Sequence, residues 1–299
     1  MSFLTFNDYG KTVEYDEQLN EKLIMYNQGK RYGQVVFVVG GAGSGKGFAI
    51  SNFMEKDKFK VRDVDEWKSA FIKLDQISRT RMVTGKGQRG VVTGTRRLNL
   101  RKSQDVFNLH QIVDDIGVKD KTLNYLLGDA NNKETLPNII FDITGKDIKS
   151  IAQNLPMLMA VGYEPQNIHL TWVLTKFSVA VERNQSRSRV VPDDIMFKTH
   201  MGASQTMSTV IRGQIPRGIN GGIYVILNNR ENTVPFVRDG KPVVDKNTGD
   251  IMVKDFTYVT LKKPGKRFVK EKDIQRQLYS WIQSNVPEKA LKNIPEPEL

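Results

Sequence analysis

Hydrophobic positions in this chain fall into short continuous runs separated by stretches with helical spacing. Residues 34–40, QVVFVVG, form an unbroken valine-rich run closed by glycine, the pattern of a parallel strand buried on both faces. NIIFDITGK, NIHLTWVL and GGIYVILNN repeat that pattern, and FKVRD adds a shorter strand that runs straight into a helix, VDEWKSAFIKLDQI. After the first strand, Phe48, Ile50, Phe53 and Met54 recur at helical spacing. DVFNLHQIVDDIGVKDKTLNYLLGD predicts two helical pieces broken near Gly117, and DIKSIAQNLPMLMAVGYE predicts a helix that its proline kinks or breaks near Leu155. KFSVAVERNQSRSR reads as a helix that turns basic toward its end. VPDDIMFKTHMGASQTMSTVIRG reads as one that opens on Pro192 and two acids. Strands alternating with helices predict an α/β fold with a parallel sheet of about five strands covered on both faces.

The pattern changes toward the ends. Residues 1–33 are polar with helical spacing around DEQLNEKLIMYN, whereas VPFVRDGKPVV and IMVKDFTYVTLKK alternate apolar and polar positions. Alternation of that kind, with RDGK and KNTGD turns, predicts an antiparallel β extension. A last helix is expected at about Asp273 to Ser284, followed by a fraying tail, IPEPEL. The chain therefore divides into an N-terminal helical segment (1–33), a core (34–230) with an insertion at 76–136, and a C-terminal β and helical extension (231–299).

Composition narrows the chemistry. The 299 residues include no cysteine, which removes disulfides, thiolate metal sites and cysteine nucleophiles, and the three histidines (His110, His169, His200) are too scattered to suggest a metal centre. No apolar run approaches about 18 residues and the first residues lack a leader pattern, so a cytoplasmic protein without a membrane span is expected. The formal net charge is +12, an excess that points to an anionic partner. Between Arg79 and Lys102 there are eight cations and no acid. That stretch has four glycines and no sustained period, and reads as a loop or a loose hairpin.

Gly40, Gly45 and Lys46 fit the spacing G-x-x-x-x-G-K between a strand and a helix. Backbone N–H groups in such a loop wrap phosphates, the helix start adds its dipole, and the lysine reaches the β and γ oxygens. Gly41, Ala42, Gly43, Ser44, Gly45, Lys46, Gly47 and Phe48 are the candidate nucleotide contacts, with ATP and Mg2+ as the expected cofactors. Gly47 stands where a serine or threonine would hold magnesium. GAGSGKG resembles the adenylate-kinase style of loop, in which the hydroxyl comes one place later, but here that place is Phe48. Magnesium would then rely on water, the nucleotide's own oxygens and carboxylates elsewhere.

A kinase also needs a carboxylate to position the attacking hydroxyl and cations to stabilise the moving phosphoryl group. VRDVDEWK resembles the segment of P-loop kinases of the polynucleotide kinase and zeta toxin families in which an aspartate at the strand end is the base. The resemblance implies Asp65 as base, with Asp63 as the alternative and Lys68 at a substrate-contacting position. A helix N-cap is the bland reading of Asp65, and it is compatible with the role of base. From Asn138 to about Pro192 the likeness is to zeta toxins: NIIFDITGK, a helix ending in GYE, and VERNQSRSRVVP. It implies that Asp142 and Thr144 lie on the substrate or metal side, with Lys146 nearby. Arg183 and Arg189 fall where that family has its phosphate arginines, and Asn229 and Arg230 fall near its nucleotide base. Asp142 and Lys146 stand in place of the family's glutamate and arginine.

Zeta toxins imply UDP-N-acetylglucosamine as acceptor and an antitoxin-like inhibitor as partner. The acid-free basic run, with Arg79, Arg81, Arg96 and Arg97 as candidate substrate contacts, exceeds what a small anion needs. It favours a hydroxyl on nucleic acid, DNA first, either a 5′-hydroxyl or a hydroxymethyl base as in phage-type 5-hydroxymethyluracil DNA kinases. A nucleotide-sugar kinase and a non-catalytic ATP-dependent nucleic-acid-binding protein are the alternatives. A motor ATPase is disfavoured, since no apolar strand ends in paired Asp-Glu.

Overall fold

The computed structural model describes residues 32–78, 80–85, 88–93, 99–128, 135–187, 190–229, 233–235, 237–243, 253–268 and 272–286. The N-terminal helix around DEQLNEKLIMYN, the C-terminal tail, and candidate residues Arg79, Arg96, Arg97, Arg189 and Arg230 lie outside the described residues, as does the side chain of Arg81.

The core is a seven-stranded sheet in the order β2-β5-β1-β6-β7-β11-β8. Its five parallel strands are β1 (Val35–Val39), β2 (Lys60–Asp63), β5 (Ile139–Ile143), β6 (Ile168–Leu174) and β7 (Ile223–Leu227). The valine run of β1 is continuous because both of its faces are covered. Val35, Phe37 and Val39 pack with Phe141, Leu170 and Trp172 on one face, while Val36 and Val38 meet the other core with Ile140 and Val173. Phe37 and Phe141, paired in register, stack at 4.7 Å. Helix α1 (Lys46–Phe53) closes the second face through Ala49, Ile50 and Phe53.

On the first face lie α6 (Leu155–Ala160), α8 (Asp193–Ile211) and α9 (Lys272–Asn285). Pro156 explains the break before α6. It sits in the first turn, where its missing N–H costs nothing, and α5 (Lys149–Ala152) ends ahead of it. The expected antiparallel extension joins the main sheet. β11 (Val253–Lys262) pairs antiparallel with β7, and β8 (Thr233–Pro235) pairs with β11. β9 (Val237–Arg238) and β10 (Lys241–Pro242) form a separate small hairpin turned by Asp239 and Gly240 at positive φ.

Helix α2 (Val64–Ser78) leads from β2 into the basic run, which forms a hairpin of β3 (Thr80–Gly85) and β4 (Gln88–Thr93). Helix α3 (Ser103–Asp115) packs on α2 and β3. Ile72, Leu109 and Ile112 make a satellite core there. Gly117, at φ 64, breaks α3 from α4 (Val118–Leu127) where expected. The parallel strands all end on one edge of the sheet, at Val39, Asp63, Ile143, Leu174 and Leu227, and that edge is where open α/β sheets bind ligands.

Candidate functional site

The glycine loop leaves β1 and turns into α1 through Gly43 and Gly45, both at positive φ. Gly45 is the N-cap of α1, and no side chain caps that first turn. The backbone N–H groups at the helix start therefore carry the partial positive charge that suits phosphate oxygens. The carbonyls of the loop are turned away and held. Ser44 O accepts from Thr175 Oγ1 (2.7 Å) and Asn228 Nδ2 (2.8 Å), residues that follow β6 and β7 directly. The Ala42 peptide is gripped on both sides by consecutive residues of α8: Thr199 Oγ1 accepts its N–H (3.1 Å) and His200 Nε2–H donates to its carbonyl (2.8 Å). Burial pushes the His200 imidazole down to about 4, with Lys46 adding to the effect against the Ala42 bond. The ring is accordingly neutral.

Lys46 Nζ donates to Gly40 O (3.1 Å) and lies 3.6 Å from Asp142 Oδ1. Burial raises the Asp142 pKa, Lys46 and Arg187 oppose it, and the Asp65 charge adds to it, so Asp65 and Asp142 share one electrostatic field. Asp63 sits at the end of β2, in register with Asp142. Its Oδ1 accepts the Asp65 N–H (2.8 Å), so the turn into α2 is tied by Asp63. That leaves the Asp65 carboxylate, 41% exposed, bound to Lys68 Nζ at 2.9 Å. Thr144 follows β5 on the same edge, and the Lys146 backbone lies close against Gly202 of α8.

Helix α7 (Phe177–Gln185) brings Arg183 to the loop. Its Nη1 donates to Asn228 O (3.1 Å), and a Cβ built on Gly45 would stand 3.4 Å from the same nitrogen. The segment between α7 and α8 is closed by Asn184, which bonds both the carbonyl (2.7 Å) and the N–H (2.9 Å) of Val191. Val190 N–H in turn donates to Leu100 O (3.3 Å), tying that segment to the end of the basic run beside Arg101 and Lys102. Asn229 is buried, with Oδ1 accepting Lys176 N–H (2.7 Å) and Nδ2 donating to Asn285 Oδ1 (2.7 Å). Its side chain joins α9 to the end of β7.

The structure thus gathers Lys46, Asp63, Asp65, Lys68, Asp142 and Arg183 at one strand edge, and it adds Thr175, Arg187, Thr199, His200 and Asn228. Thr175 carried a positional signal, as the first residue beyond a predicted strand, and Asn228 lies inside the run GGIYVILNN that reads as a strand. Thr199 and His200 carried none. Among the described residues no group of three or more histidines or acids could hold a metal ion. With Gly47 offering no hydroxyl and Asp142 paired to Lys46, the donors present do not fit a protein-held magnesium. No helix among the described residues is long and apolar enough to cross a membrane.

No family model matches the sequence, and no curated protein sequence matches it. Solved structures do match. The AvrRxo1-ORF1:AvrRxo1-ORF2 complex with ATP is 10% identical, with a TM-score of 0.50 over 89% of this chain and 75% of that one. The native form of that complex matches at 11% identity, TM-score 0.48, over 87% and 73%. A structure of the PezAT chromosomal toxin-antitoxin system of Streptococcus pneumoniae matches at 14% identity, TM-score 0.42, over 67% and 70%. The likeness is one of fold. That fold is a mostly parallel sheet between helices, with a glycine loop joining its first strand to the next helix, a basic insertion and a C-terminal β and helical extension.

Proposed function

We propose that the chain is an ATP-dependent phosphotransferase that moves the γ-phosphate to a hydroxyl, most readily one carried by nucleic acid. The observation that carries this reading is the braced glycine loop at the head of α1, with Lys46, Asp142 and Arg183 against it. The ATP named for the AvrRxo1 fold neighbour supports the choice of nucleotide. In this reading the loop N–H groups and Lys46 hold the β and γ phosphates. Asp65, oriented by Lys68, takes the proton of the attacking hydroxyl as its oxygen bonds to the γ phosphorus and the bond to the ADP oxygen breaks. Arg183 and Arg187 stabilise the charge that spreads over the transferred group. No step is assigned to a metal.

The acceptor is argued from charge. α2, which begins beside Asp65, runs directly into the basic hairpin, and Arg101 and Lys102 stand exposed on the turn bonded to Val190. Such a rim suits a phosphodiester backbone. Transfer of labelled γ-phosphate to unmodified DNA, 5-hydroxymethyluracil DNA, RNA and UDP-N-acetylglucosamine, with Asp65→Asn as control, tests the proposal. Label on a nucleic acid that disappears in the variant is the expected result. Label on the sugar nucleotide alone moves the acceptor to the zeta toxin side, and no label on any of them sinks the kinase reading. The fold neighbours are two-component assemblies by name, which supports a second reading in which a protein inhibitor covers this cleft.

A further inference from the structure

We infer that this site captures ATP without a metal ion held by the protein, and that Gly47 is the residue that decides it. The inference rests on the nucleotide reading above. In loops of this spacing the residue after the lysine supplies the hydroxyl that reaches magnesium. Here it has no side chain, and the next residue, Phe48, stands edge-on to Phe53 at 5.8 Å.

Neither packing nor backbone geometry demands glycine at this position. A Cβ on Gly41 would lie 2.2 Å from the His200 ring, one on Gly43 2.5 Å from Ala180 O, and one on Gly45 2.2 Å from Asn228 Nδ2. A Cβ on Gly47 would meet nothing within 4 Å, and Gly47 is exposed without a positive φ. The fold has room for serine there and the sequence does not use it.

The carboxylates of the site are already engaged. Asp142 is paired with Lys46, Asp65 with Lys68, and Asp63 with the Asp65 N–H. What the loop offers the phosphates is cationic: the N-terminus of α1, Lys46 and Arg183. Magnesium then reaches the site only on the nucleotide's own phosphate oxygens. Calorimetric titration of ATP into the full chain, in Mg2+ and in EDTA, tests this with the wild type, Gly47→Ser and Gly47→Ala.

The expected wild-type affinities agree within about threefold between the two conditions. Gly47→Ser is expected to bind about tenfold more tightly in Mg2+ than in EDTA, the scale of a gained contact to the metal shell, while Gly47→Ala, which adds a Cβ without a hydroxyl, gains nothing from Mg2+. Two results overturn the inference and leave the nucleotide reading intact: a wild type that binds ATP only in Mg2+, or a Gly47→Ser that gains nothing from Mg2+. A wild type that binds ATP in neither condition overturns both.

Discussion

Lowering the pH from 7 to 5 should loosen this protein through His200. Its Nε2–H is committed to Ala42 O at 2.8 Å, its ring stands against Phe177 at 5.3 Å, and it is 5% exposed. A proton on Nδ1 would therefore place a charge in a buried site that already faces Lys46. Burial accordingly holds the folded pKa at about 4, against about 6.5 in the unfolded chain. The neutral ring is the form the fold accepts, so this contribution is whole above pH 6.5 and drains away as the pH falls toward 4. At pH 5 the unfolded chain is almost fully protonated at this position and the folded chain is not, a difference of about 2 kcal/mol. Urea unfolding at both pH values, followed through the tryptophans, measures it against His200→Gln, which keeps an N–H donor and cannot titrate. The loss of stability between pH 7 and 5 should be about 2 kcal/mol smaller in the variant. An equal loss in both proteins would refute the reasoning, because every other titrating group is common to the two.

His169 should behave in the same way for a stereochemical reason. Its Nδ1 accepts the Gly222 N–H (2.8 Å) while Nε2–H donates to Gln34 Oε1 (2.8 Å), so protonating Nδ1 sets two N–H groups against each other. Its pKa is also pushed down to about 4, and His169→Gln should remove a further loss of about 2 kcal/mol in the same urea series. Gly45→Ala meets both a φ of 84 and a 2.2 Å approach to Asn228 Nδ2. It should cost roughly 1–3 kcal/mol in thermal unfolding and abolish ATP binding by calorimetry. Asn184→Ala frees both bonds to Val191, and should lower kcat by about tenfold or more with a much smaller change in ATP affinity, since it misplaces the arginine segment. If the acceptor is DNA, its KM should rise at least about tenfold between 50 and 200 mM salt while that for ATP moves less.

The parts of the fold that were legible in the sequence are those whose physics is local. β1 reads as buried on both faces because it is. The C-terminal alternation reads as one-sided because Val259 and Leu261 are buried while Tyr258 is 43% exposed. That alternation could not say which strand β11 would join, because strand pairing is decided by the topology of the whole sheet. The basic run had two local readings, loop and hairpin, and the hairpin forms where β3 and α3 pack together. In the candidate site, the glycines and Lys46 carried a local signal, because the spacing that a phosphate-binding loop needs is written in consecutive residues. Thr199 and His200 were not, because their work is to hold a peptide 157 and 158 residues away in sequence, a relation that only the folded chain creates.

The distribution of these distant contacts has a mechanical meaning. Helix α8 begins just after the segment that carries Arg187, and Asn184 pins that segment at Val191, two residues before the helix. About two turns into the same helix, Thr199 and His200 hold the Ala42 peptide of the glycine loop. The end of α7 supplies Arg183, whose guanidinium rests on Asn228, the residue that also holds Ser44 O. The loop, Arg183 and the strand ends beneath them are thus bonded to one another before any ligand arrives. Under the proposed phosphotransfer, a site assembled in this way would not have to reorganise its dipoles and charges as the phosphoryl group moves, which is where electrostatic catalysis gains most. The same bonding makes α8 the element through which a disturbance of the arginine segment would reach the phosphate loop.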